Sequence, residues 1–180
     1  MKKLLPVILS LLLLSSCADT GESEFLKFTE SVSSAENISF TADVRAQYSD
    51  STAEFTLAYE KSGDEATVQV VKPELISGIK ANVKGNDISL EYDGAMLDIG
   101  TLPDAELSPM SSLPLIVGAI RSGQLEISWT EDELIAARLV PADDYVVTLW
   151  INSALEPVTA EISYKEQTTV FVDISDWTIG

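Results

Sequence analysis

The chain has 180 residues, with 11 Lys and Arg against 29 Asp and Glu, one cysteine and no histidine, for a formal net charge of −18. A surface this acidic repels nucleic-acid phosphates and anionic headgroups alike, and the missing histidine removes the commonest general base and the commonest transition-metal ligand. No nucleic acid, metal or cofactor is expected, no disulfide can close within the chain, and the length suits one domain with its own core.

Lys2 and Lys3 open the chain, followed by the apolar run Leu4 to Leu14 and then Ser15, Ser16 and Cys17. The run is too short to span a bilayer. A basic start, a short apolar stretch and small residues describe a secretory signal over residues 1–16. Leu14 to Cys17 resembles the bacterial lipobox, in which the cysteine is lipidated and becomes the new N-terminus, so lipidation is expected at Cys17. Removing the two lysines leaves nine cationic side chains against 29 acidic ones, a net −20. Two acyl chains of about a dozen buried methylenes each supply on the order of 20 kcal/mol of attachment. The protein is thus expected to be exported and anchored on the extracytoplasmic side of the bacterial cell membrane. Cys17 and the polar stretch to Glu24 form a tether, whose seven residues after the cysteine reach roughly 25 Å extended. The remainder, residues 25–180, is the folded domain.

Glu22 to Ser34 sets Phe25, Phe28 and Val32 at helical spacing with Leu26 beside them, predicting a short amphipathic helix that covers a sheet. The period then changes to two. Ile38, Phe40, Ala42, Val44, Ala46 and Tyr48 alternate with polar residues, and Phe55, Leu57 and Tyr59 continue the pattern. Val68 with Val70, Ile79 to Val83, Ile88 to Tyr92, and Leu97 with Ile99 predict further strands. Asp93-Gly94 is a two-residue hairpin signal that needs positive φ.

Ser111 to Gly123 breaks the alternation. Ser111 or Ser112 can cap a helix, Pro114 fits its first turn, and Gly123 suits the position past its end. Leu113, Ile116, Val117 and Ile120 form the main stripe, which Leu115 and Ala119 widen most of the way round. Such a helix must be surrounded. A two-sheet sandwich has no room for it, whereas the concave side of a curled sheet does. The expected class is therefore mainly β with α: one curved antiparallel sheet forming an open half-barrel, with both helices on its concave side.

Strands resume with Leu125, Ile127 and Trp129, then Leu134 to Val140, then Tyr145, Val147, Leu149 and Ile151. Val158 to Tyr164 and Val170 to Ile174 close the series. Val146 and Trp150 fall on the opposite face of their strand and form a candidate partner patch unless the N-terminal helix covers them. Glu131, Asp132, Glu133, Asp143 and Asp144 sit between strands, where acids are ordinary turn residues. No nucleophile elbow, phosphate loop, calcium loop or zinc spacing occurs, so no catalytic residue is expected and the protein is read as a non-enzyme.

The order of helix, strands, mid-chain helix and strands resembles the LolA/LolB-like fold of outer-membrane lipoprotein carriers and Gram-positive lipoproteins. Local likenesses are Val70 to Gly94, Ser153 to Tyr164 with its proline before a late strand, and the closing Val170 to Gly180; together they span residues 22–180. The resemblance implies acyl chains or lipoproteins bound in an apolar hollow under the helices, or alternatively an envelope lipoprotein acting through protein contacts with no lipid ligand. Its candidate lining is Phe40, Ala42, Val44, Leu57, Tyr59, Leu90, Tyr92, Leu113, Ile116, Val117 and Ile120. The carriers hold their lid with a strand arginine; Arg45 is the nearest candidate but falls on the polar face of its strand.

Overall fold

The structure, a computed structural model, describes residues 20–84, 87–101, 108–142, 144–165 and 167–180. The proposed signal and Cys17 lie outside the described residues, as do Gly85 and Asn86 between the strands predicted at Ile79 to Val83 and Ile88 to Tyr92, and Asp143. Helix α1 (Thr20–Ser34) precedes a meander of β1 (Asn37–Gln47), β2 (Thr52–Ser62), β3 (Glu65–Lys72), β4 (Lys80–Lys84), β5 (Asp87–Tyr92) and β6 (Ala95–Thr101). Helix α2 (Pro109–Ser122) then leads to a second meander, β7 (Gln124–Glu131), β8 (Leu134–Ala142), β9 (Tyr145–Ile151), β10 (Pro157–Tyr164) and β11 (Gln167–Ile179). The last strand pairs with the first, so all 11 strands form one sheet in the order β6-β5-β4-β3-β2-β1-β11-β10-β9-β8-β7. Neighbours run antiparallel throughout, as the short turn-rich links demand.

The sheet is curled. Helix α2 packs against β1, β2 and β3 and also against β8. β3 and β8 stand six intervals apart in the order, which is roughly 29 Å if flat, whereas a helix of 14 residues is only about 21 Å long. Strands from both halves of the sheet reach it because the sheet bends around it. The expected open half-barrel is what forms, and a stacked sandwich is excluded.

The core lies between the concave face and the helices. Ile38, Phe40, Ala42, Val44 and Ala46 of β1 are buried, joined by Phe25, Phe28 and Val32 of α1. Every residue of α2 from Pro109 to Arg121 is buried or half-buried, as its all-round apolarity requires. A chain of rings ties α1 to the sheet: Phe25 to Phe28 at 5.8 Å, Phe28 to Trp177 at 6.3 Å, Trp177 to Phe40 at 5.2 Å and Phe40 to Tyr59 at 4.9 Å. Trp177 faces inward because the register slips between Ser39 and Thr41, with Asp176 at φ 55°.

Several expectations need correction. Helix α2 begins two residues before Ser111: Ser108 is the N-cap, its hydroxyl accepting from the Ser111 amide while the Ser111 hydroxyl accepts from the Ser108 amide. Pro114 consequently lies inside the helix rather than in its first turn. Gly123 does follow the helix, but at φ −67°; a Cβ there would meet the Ala119 carbonyl oxygen at 2.2 Å, so close approach rather than backbone handedness selects glycine. Leu26 of α1 is 51% exposed, and Tyr48, beyond the end of β1, is 50% exposed. Leu125, Ile127 and Trp129 do not share a face. A bulge between Leu125 and Ile127 leaves Leu125 against the core and turns Ile127 and Trp129 outward. The turn at Asp93-Gly94 has φ of 50° and 77°, the positive values its residues suit.

Candidate functional site

The concave layer is the first candidate. Phe40, Ala42, Val44, Leu57, Tyr59, Leu113, Ile116, Val117 and Ile120 come together in one buried cluster, and Leu90 packs against it half-buried. Tyr92 does not join them: it is the last residue of β5, and is 52% exposed. Strand alternation brings the β residues to one face, and the i, i+3, i+4 stripe of α2 lies over them.

Arg121 closes this layer. It is the basic residue in the last turn of α2, where the helix dipole favours a cation. Its Nη1 donates to the carbonyls of Val32 at 2.9 Å and Ala35 at 3.0 Å, and the Ser33 hydroxyl donates back to the Arg121 carbonyl at 3.2 Å. The C-terminal ends of both helices are thereby pinned together. Tyr59 lies beneath them, buried at 2% exposure; burial pushes its hydroxyl up to about 12, with the Arg121 charge pulling the other way. Beside the pin a cleft of about 250 Å³ opens between α1, α2 and the strands β7 and β8, floored by Phe25, Ile120, Leu125 and Leu139. Sequence reasoning missed Arg121. A lone cation closing an otherwise apolar helix was the available signal. Arg45 instead lies exposed on the convex face, its guanidinium 4.7 Å from the centre of the Phe171 ring.

The convex face is the second candidate. Trp150 and Val146 are half-buried there. Helix α1 does not cover them, because it packs on the concave side with the core. The companion of Trp150 is Trp129, edge-on at 6.4 Å and 84°. Both indole N–H groups donate to Glu131 Oε2, at 3.1 and 3.2 Å, holding that carboxyl below the usual range. Ala136 lies between the two tryptophan positions in the register and is fully buried. Asp132 and Glu133 occupy the β7–β8 turn at φ 48° and 68°, and Asp144 is exposed beside the next turn. Among the described residues, no three acidic, cysteine or histidine side chains are grouped to hold a metal ion.

One open antiparallel sheet curled around two packed helices is the LolA-like fold. A LolA superfamily protein from Nitrosomonas europaea superposes with a TM-score of 0.50 at 17% identity, over 91% of this chain and 94% of its own. An uncharacterized conserved protein from Thermus thermophilus superposes with a TM-score of 0.52 at 11% identity, over 89% of this chain and 88% of its own. No protein-family model matches the chain, and no curated protein matches it significantly in sequence. Among the described residues, no helix is long and apolar enough to cross a membrane.

Proposed function

We propose that the protein is a non-enzymatic envelope lipoprotein, anchored through Cys17, that takes an acyl chain between its helices and its concave sheet face. The acyl chain is free or carried by a lipoprotein. The observation that carries this reading is the apolar layer under two helices whose ends are joined through Arg121 beside an apolar-floored cleft. Likeness to a LolA superfamily protein in fold supports it. The cleft, at about 250 Å³, is smaller than the roughly 300–1,000 Å³ of typical ligand sites. Entry of a chain therefore requires the helices to part, and Arg121 is the latch. An acyl chain of about sixteen carbons gains roughly 13 kcal/mol on burial before ordering losses, enough to offset three hydrogen bonds of about 1–3 kcal/mol each.

The test is uptake of a fluorescent fatty acid by the full chain and by Arg121→Ala. Saturable uptake that quickens in the variant is expected. Absence of uptake in both proteins, with the fold intact by circular dichroism, contradicts the reading. For the anchor, incorporation of labelled palmitate should vanish in Cys17→Ser; continued labelling would refute it.

A further inference from the structure

Where α1 starts decides which part of the molecule a lipid on Cys17 brings to the membrane. Only Ala18 and Asp19 separate Cys17 from Thr20, the first residue of the helix. Three residue steps span at most about 11 Å, so an anchor on Cys17 holds the first turn of α1 at the bilayer surface. That turn lies against the β7–β8 hairpin: a Cβ on Gly21 would stand 3.7 Å from Thr130 Oγ1 and 3.8 Å from Ile135 Cγ2. Thr130, Ile135 and Ile151 are register partners across β7, β8 and β9, and the next row along those strands is Trp129, Ala136 and Trp150. Both indoles are thus one residue, roughly 3.4 Å along the strand, from the row that the first turn of α1 meets, and they occupy the other face of the sheet.

Granted the anchor at Cys17, and whether or not an acyl chain enters the hollow, we propose that this end of the molecule rests on the membrane. The first turn of α1 and the β7–β8 hairpin face the bilayer, with Trp129 and Trp150 in its headgroup layer. Tryptophan suits that level because it joins an apolar body to a polar tip. Glu131 accepts from both N–H groups, at 3.1 and 3.2 Å, so neither ring carries a bare donor as it leaves water. Ile127, 53% exposed and two residues before Trp129, extends the same apolar flank. The charges select the lipid. Glu22 and Glu24 of α1 and Glu131, Asp132 and Glu133 of the hairpin are all exposed, whereas Lys27 is the one cation of α1 and the hairpin turn has none. Such a surface favours the ammonium of phosphatidylethanolamine and disfavours the net charge of phosphatidylglycerol. A second copy would bring the same acids to this face and be repelled by them. Leu75, Tyr92, Met96 and Leu97 are exposed as well, but they belong to the half of the sheet that ends at β6, opposite the edge formed by β7.

The lipidated full chain, reconstituted in phosphatidylethanolamine and phosphatidylcholine vesicles with brominated acyl chains, tests this by flotation and by quenching of tryptophan emission. The chain has three tryptophans, and Trp177, packed against Phe28 and Phe40, is the internal control. The protein should float and its emission should be quenched. Quenching should be lost in the double variant Trp129→Phe, Trp150→Phe, which keeps Trp177. Phosphatidylglycerol in the vesicles should reduce quenching at low salt, and about 1 M salt, with a screening length of about 3 Å, should restore it. A polarity-sensitive dye on Met96→Cys should emit as it does without vesicles. A chain that does not float removes the anchor and this orientation with it. Flotation with Trp129 and Trp150 unquenched, or a dye at position 96 that shifts into an apolar environment, leaves the anchor standing and overturns the orientation.

Discussion

Arg121 joins two helices with one guanidinium, so its removal has a local signature. Arg121→Ala leaves the carbonyls of Val32 and Ala35 to water, and hydrogen bonds from a charged donor contribute about 1.5–3 kcal/mol. Global stability should fall by about 1–3 kcal/mol in urea unfolding, with faster amide exchange concentrated in the last turn of α1. Tyr59 supplies the pH dependence at this scale. Its hydroxyl is raised by burial from the ordinary 10.0 to about 12, so the folded state favours the protonated phenol. That contribution is fully present below pH 10 and is lost as pH rises from 10 towards 12. Phenolate absorbance should therefore appear together with unfolding, and Tyr59→Phe should flatten the alkaline fall in stability.

Among the elements, α2 shows both the reach and the limit of reading a sequence. That it must be enclosed was legible from Leu113, Ile116, Val117 and Ile120 with Leu115 and Ala119 around them, because an apolar surface on all sides has no other stable place. Its true start was not legible. Ser108, Ser111 and Ser112 can all cap, and the choice of Ser108 rests on a reciprocal pair of hydrogen bonds with Ser111. The far end carries a sharper test: Gly123→Ala puts a methyl 2.2 Å from the Ala119 oxygen, forcing the backbone to move. A loss of about 1–3 kcal/mol is expected from such overpacking, measurable as a lowered melting temperature; an unchanged one would mean the chain leaves α2 differently. Strand β7 marks the same limit. Alternation put Leu125, Ile127 and Trp129 on one face, but the bulge between Leu125 and Ile127 has no residue signature in that stretch, and it moved Trp129 to the convex side beside Trp150.

At the scale of the molecule, the two meanders are joined by α2 between their outer strands and by β1 against β11 at the centre. That arrangement makes a bowl filled from its own middle, and it separates an apolar concave layer from a polar convex one. Alternation made this division readable, and enclosure of α2 selected the bowl over the sandwich. What stayed hidden was Arg121, whose role depends on where two helix ends meet, and the pairing of Trp129 with Trp150 over Glu131, which a bulge in β7 brings to the convex face. The division also defines the decisive measurement. A photoreactive fatty acid, activated on the intact protein and mapped by peptide mass spectrometry, should mark α2 and the facing strands, at Leu113, Ile116, Ile120, Leu57 or Val44. No adduct, or adducts confined to the convex side, would contradict the account.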